Sequence, residues 1–289
     1  MQQQITMFKT IPFISKKIWG YERWIVSVHP AGLALVDDAT PQIGGKPLDT
    51  IAGAAYPLLI KIIQANETLS VQVHPDDDYA RRHERSAGKT ECWYVLDAVP
   101  DAKIIYGLQQ NYSRSELETA IRHNTIAQCL RSVPVSKGDF IFIPAGTIHA
   151  IQGGLRLLEV QQSSDITYRL YDWGRPREVH IQKGLDVVRY LPDSALMPEH
   201  PFSGTSACPY FRLEKKDFPA ADAVSFSTFN TPAAHTGWCS LFIIEGSGML
   251  ETAGAPALQV KAADCVMVRR DAAVSVVPDG AALSIMMIG

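Results

Sequence analysis

Four side chains able to hold a metal recur at short, regular spacings. Gln72 and His74 stand two apart in SVQVHP. Residues two apart on a strand leave the same face, so the amide and the imidazole lie side by side while Val71 and Val73 face the other way. Lys89 and Glu91 repeat this spacing at the head of the apolar run KTECWYVL. His149 ends the stretch GDFIFIPAGTIH, where Pro144 and Gly146 shape a tight turn that carries it back toward a sheet interior. Singly, each is an ordinary strand residue. Together, two imidazoles, one carboxylate and one amide oxygen form the shell of a single divalent metal, expected to be zinc, with a position left for water or substrate.

These residues need strands to carry them. From Tyr56 onward the chain reads as short apolar or alternating runs between turn signals: YPLLIKII, SVQVHP, ECWYVLDA, AKIIYGL, DFIFIP, HAIQ and LRLLEV. This is an all-β pattern. Gly153-Gly154, between HAI and LRLLEV, reads as a two-residue hairpin turn whose flanking strands pair antiparallel. One helix interrupts the strands over about 113–124, where Ser113 and Glu116 form a capping box ahead of an apolar stripe of Leu117, Ala120 and Ile121. In DDDYARRHE, Asp76 to Asp78 cap a second helical turn or form a solvated loop. The stretch 191–209 is rich in Pro, Ser and Gly and reads as a linker between a first domain, 1–190, and a second, 210–289. The runs CSLFIIEG, GMLETAG, DCVMVRR and AVSVVP make the second domain β-rich as well.

Composition limits the partners. With 289 residues, 46% of them hydrophobic, the chain can fill one large core or two smaller ones. A net charge of -3 lacks the basic excess of a nucleic-acid module, so no nucleic acid is expected, whereas a small anionic substrate needs only a few placed cations. No apolar run approaches the roughly 18 residues of a membrane span, and MQQQITMFKT has no secretory pattern. A cytoplasmic protein without a membrane partner is expected. Five scattered cysteines with no C-x-x-C pair fit reduced, buried thiols.

Gly138, Pro144, Gly146 and His149 match the second cupin motif, G-x5-P-x-G-x2-H, although Gly153 stands where the motif ends in Asn. The first motif is altered: its H-x-H is Gln72-Val73-His74, and Glu91 follows a longer insertion. With LSVQVHPDD, GKTECWYVL and EVQQSSDITYR in order, the chain from about Trp19 to Tyr190 resembles the type I mannose-6-phosphate isomerases, especially their short bacterial form.

The resemblance implies two cupin-like jelly-roll barrels, the first with a small helical insertion, and one zinc ion per chain. It implies interconversion of mannose 6-phosphate and fructose 6-phosphate through an enediol, by a monomer or homodimer. Glu159, Asp165 and Arg169 match positions that the family places around its substrate. Arg169 and Lys89 would handle developing charge or the phosphate, with Glu159 or Asp165 transferring the proton. Lys89, beside a metal cation, is expected to lose its proton more easily. If the second domain repeats the pattern around Gly246, Cys239 and Val274 replace the Glu and His ligands, giving a degenerate cupin with His235 on its surface.

Two other readings compete. His74, Glu91 and His149 also make the two-His, one-carboxylate set of a non-haem iron oxygenase, against which Gln72 and Lys89 argue. A non-catalytic sugar-phosphate-binding cupin keeps the fold without turnover. Trp19, Tyr94, Tyr168 and Trp173 are read as core aromatics.

Overall fold

The computed structural model describes residues 5–190, 197–220, 223–229, 237–270 and 272–289. Their strands form four sheets of seven, six, five and four strands, in two compact units, which agrees with the expected cupin-like all-β class.

The metal-binding residues lie in the unit made of Ser15–Arg23 and Ile60–Ser203. Its five-stranded sheet runs Tyr168–Tyr171, Val71–Val73, His149–Ile151, Lys103–Leu108, Leu130–Pro134. The six-stranded sheet places Glu91–Ala98 between Phe140–Ile143 and Leu155–Gln162, followed by Leu58–Ala65, Gly20–Val26 and Phe13–Lys17. Alternation along the strands sorts their residues into two layers. Ile104, Tyr106 and Ile151 of one sheet join Trp93, Val95 and Leu157 of the other in an interior cluster. Val71, Val73, Ile105 and Ala150 instead pack with Leu117, Ala120 and Ile121.

Those last three belong to the helix Arg114–Arg122, capped by Ser113 with Glu116 completing the box as expected. Asp76 likewise caps a helix, Asp77–His83, by accepting from the Tyr79 amide. The acidic run is therefore a helix start. A further helix, Ile181–Val187, has no cap signal in the sequence. Its Gly184 permits close packing, since a Cβ there would stand 2.4 Å from Leu170 Cδ2.

The expected Gly153-Gly154 hairpin is corrected. His149–Ile151 pairs with Val71–Val73 and Lys103–Leu108, whereas Leu155–Gln162 pairs with Glu91–Ala98 in the other sheet. The glycines carry the chain between sheets, close against residues 65–69, where it makes the same crossing. The Gly154 amide donates to Ala65 O, the Leu69 amide donates to Ile151 O, and a Cβ on Gly153 would meet Asn66 O at 2.9 Å. Close approach of two backbones is what excludes side chains here.

The other unit combines the chain through Ile14, Trp24–Leu59 and Gly204–Gly289. Its division differs from the expected boundary at 190, because Met7–Ile11 pairs with Cys265–Arg269 and brings Leu35–Val36 with it into the seven-stranded sheet. No local pattern reports a partner some 250 residues away. The expected linker lies partly outside the described residues at 191–196. Its remainder includes a bridge from Glu199 to Phe140 and the strand Thr205–Ala207. His235 also lies outside the described residues.

Candidate metal centre

One row crosses the five-stranded sheet. Arg169 is registered against Gln72, Gln72 against His149, and His149 against Tyr106. Directly opposed residues share a face, so Gln72 and His149 are neighbours whose strands lie 77 residues apart in sequence. His74 follows the end of its strand, where its carbonyl accepts the Gly146 amide at 2.8 Å. Gly146 has φ +85°, and a Cβ would press on Val187 O at 2.7 Å, so this turn requires glycine on both counts.

The six-stranded sheet supplies the carboxylate. Glu91 is fully buried and opposes Gln161 and Ile143 on the two flanking strands. His149 Nε2 lies 3.3 Å from its Oε1 and His74 Nε2 3.6 Å from its Oε2. Lys89 Nζ lies 2.8 Å from the same Oε2 and 3.1 Å from His74 Nε2. Even so, both Glu91 oxygens lack an aligned hydrogen-bond donor.

The ring hydrogens are already committed. His74 Nδ1 donates to Ile166 O at 2.8 Å and His149 Nδ1 to Thr147 O at 2.9 Å, which leaves both Nε2 lone pairs on the Glu91 side. Burial, then the positive charge of Lys89, holds His74 well below the usual histidine range, and burial brings His149 down to about 4. Both imidazoles are thus neutral acceptors near pH 7. Burial, reinforced by Glu159, pushes Glu91 up to about 7. Ligand atoms from His74, Glu91 and His149 all lie within 4.8 Å of one another, and they are the one such group among the described residues. Gln72 Nε2 sits 3.2 Å from His149 Nε2, and turning the amide over would present its oxygen there instead. Two neutral imidazole nitrogens and a buried carboxylate converging on one point fit a divalent cation.

Around this centre the expected substrate residues separate. Lys89 is buried; burial would lower its pKa, but Glu91 and Glu159 outweigh that and raise it. The expected easier loss of its proton therefore depends on a cation to oppose these carboxylates. Glu159 is also buried, with Oε1 3.3 Å from Lys61 Nζ and Oε2 accepting from Trp93 Nε1 at 3.0 Å. Burial would raise its pKa, but Lys89 and Lys61 together hold it below the usual carboxylate value. Arg169 is half-buried: its Nη1 donates to Glu178 O at 2.7 Å, and its Nε is buried without a partner. Asp165 is exposed in the loop before Tyr168–Tyr171, while the next residue supplies the carbonyl that holds His74.

Three contributors carry signals that the motifs did not use. Lys61 interrupts the apolar run YPLLIKII, and Trp93 stands two residues beyond Glu91 on the same face. Asp172, buried, accepts from Arg175 and Arg177, while Arg175 also donates to Thr68 O just ahead of the Gln72 strand. Trp19, Tyr94 and Tyr168 are buried as expected, and Trp173 is partly buried, donating to Leu69 O at 2.7 Å.

The fold and site define a class: an all-β, cupin-like protein with one buried metal centre built from two facing sheets. Residues 7–98, which include Gln72, His74, Lys89 and Glu91, match the phosphomannose isomerase type I catalytic domain. A mannose-6-phosphate isomerase of Streptococcus mutans is 41% identical over 207 residues, covering 60% of this chain and 65% of that protein. The Bacillus subtilis mannose-6-phosphate isomerase ManA is 48% identical over 145 residues, 48% of this chain and 46% of that protein. The chain therefore matches less than two thirds of the length of these relatives. The crystal structure of a Bacillus subtilis mannose 6-phosphate isomerase superposes with TM-score 0.82 at 27% identity, covering 99% of this chain and 100% of that one. Over these spans the chain is similar to the type I phosphomannose isomerases.

Proposed function

We propose that the chain is a zinc-dependent aldose–ketose isomerase interconverting mannose 6-phosphate and fructose 6-phosphate. The observation that carries this reading is the convergence of the half-buried Gln72 with the buried His74, Glu91 and His149, neutral at both imidazoles and lined with nitrogen and oxygen donors only. Such a set suits zinc, which brings no redox chemistry to a reaction without net oxidation. When bound, the ion supplies Lewis-acid polarisation of the sugar oxygens.

The chain's own groups do the rest. Lys89, held positive beside Glu91, offers an ammonium to an oxygen gaining negative charge at C1 or C2. Arg169, in register with Gln72 and with its Nε unpartnered, offers a guanidinium to the phosphate or to the same developing charge. Proton transfer between C1 and C2 needs a base, which an ionised carboxylate in a dry site can supply. Glu159 meets that need better than the exposed Asp165, because two lysines keep it charged while buried. Similarity to the type I phosphomannose isomerases argues against the oxygenase and the non-catalytic readings.

A coupled assay of the interconversion, with and without chelator and on His149→Ala, tests the proposal. Both chelation and the substitution are expected to abolish turnover. Activity persisting in His149→Ala would overturn the assignment of the metal centre.

A further inference from the structure

Glu159 lies in a row of polar groups that begins on a strand no metal ligand occupies. Along Leu58–Ala65, Lys61, Ile63 and Ala65 are two apart, and Ile63 and Ala65 belong to the interior cluster. The same alternation sends Lys61 inward, where its side chain is only 6% exposed. On the next strand Leu155 and Leu157 face the same interior, and Glu159 continues their face. Glu159 is in turn registered against Trp93, which stands between Glu91 and Val95 on the third strand. Three adjacent strands thus present Lys61, Glu159 and Trp93 side by side.

The contacts follow that order. Lys61 Nζ stands 3.3 Å from Glu159 Oε1, and the other oxygen accepts the indole N–H of Trp93 at 3.0 Å. The indole meets the ring of His149 edge to face, with centroids 5.4 Å apart and planes at 75°. His149 has its own anchor in the bond from Nδ1 to Thr147 O, which sets its tautomer. One hydrogen bond leaves the ring free to tilt about its direction; a large flat neighbour held by its own N–H limits that tilt.

We propose that Lys61 is a positioning residue of the metal centre, holding the carboxylate of Glu159 so that it fixes the indole of Trp93 and, through it, the ring of His149. A buried ion pair is by itself weak evidence of function, since apolar replacements of both partners often fold as well. What distinguishes this pair is the division of one carboxylate, one oxygen toward the lysine and the other on a side chain packed against a ligand. Groups that orient a ligand from outside the metal shell set how tightly the ion is kept.

This inference rests on the metal reading above, and its test reads metal affinity, not turnover. Zinc affinity of the full chain is measured by competition with a chromogenic chelator, with folding checked by circular dichroism. Lys61→Met and Glu159→Gln are each expected to weaken zinc binding ~10–100-fold. Trp93→Phe, which keeps a ring but removes the N–H, should fall in the same range. Because Lys61 acts through Glu159, the double variant Lys61→Met/Glu159→Gln should bind zinc no more weakly than Glu159→Gln alone.

A merely structural lysine would lower the melting temperature and leave the zinc affinity of the folded protein unchanged. Wild-type affinity in folded Lys61→Met, or in Trp93→Phe, overturns the proposal, as does a double variant weakened by the product of the two single effects. Should Lys61→Met fail to fold, the charge-neutral double variant carries the test, and wild-type affinity there overturns it equally. A wild-type protein that binds no zinc would instead overturn the metal reading itself.

Discussion

Both units of the molecule enclose residues between β-sheets, yet their interiors differ in kind. In the unit with the metal centre, the space around Trp93 holds two lysines, two glutamates and two histidines, all nearly inaccessible to water. In the other, the positions suggested to correspond to ligands are Cys239 and Val274, both fully buried among Leu241, Ile243, Val266 and Val276. Apolar filling stabilises directly through burial, whereas buried charges cost stability unless each finds a partner. An interior that keeps six ionisable groups is organised for chemistry, and one that places Cys239 and Val274 among apolar side chains is organised for packing.

The sharpest way to break the contrast is to remove a charge from the polar interior. Glu91→Ala should cost more than ~100-fold in zinc affinity, exceeding the effect expected of residues outside the shell. Equilibrium dialysis with metal analysis checks this, and near-stoichiometric zinc in the variant would place the ligand set elsewhere.

Acidification probes the same interior in the metal-free protein. The lowered pKa of His149 gives stability that is present above about pH 6.5 and lost as pH falls toward 4, on the order of 3 kcal/mol at 1.36 kcal/mol per pH unit. His74 is lowered too and acts in the same sense. The raised pKa of Glu91 works oppositely, giving stability that is lost as pH rises from about 4.5 to 7. Glu91→Gln removes the opposing effect, so between pH 7 and 4.5 its stability should fall more steeply with acid than that of the parent. Calorimetry of both chelated proteins across that range measures the difference, and parallel curves would count against the burial of Glu91.

The apolar interior should respond only in stability. Val274→Ala is expected to destabilise by about 2 kcal/mol through lost burial and a residual cavity, with zinc stoichiometry and turnover unchanged. Denaturant unfolding and a metal assay decide it. Smallest is Ser113→Ala, which removes the helix cap at a cost of about 1 kcal/mol and should leave zinc affinity untouched.

Where a feature depends on neighbours in sequence, it was legible in advance. The Ser113 cap and Glu116 box involve residues three apart, and the two-residue spacings of Gln72 with His74 and Lys89 with Glu91 follow from strand geometry. The tight turn ahead of His149 announces itself through Pro144 and Gly146. The apolar runs also sufficed for an all-β class. The same two-residue rule, carried one step further, reaches Trp93 from Glu91, and a lysine inside YPLLIKII is visible by inspection.

The partners of these elements were not legible. Gly153-Gly154 looks like a hairpin locally, and only the sheets show it to be a crossing held against residues 65–69. Met7–Ile11 gives no sign that it pairs near Val268. Asp165 and Glu159 are equally plausible carboxylates on paper, but one lies on an exposed loop and the other between Lys61 and Trp93.

The sequence by itself therefore determined which side chains share a face and which donor types a metal meets, because the periods of strand and helix are properties of a few consecutive residues. Tertiary structure alone decided which faces meet, which carboxylate is buried, and that a lysine from a third strand stands beside it. Strand pairing joins residues tens to hundreds of positions apart, and the charge state of a buried group depends on every neighbour that pairing brings within reach.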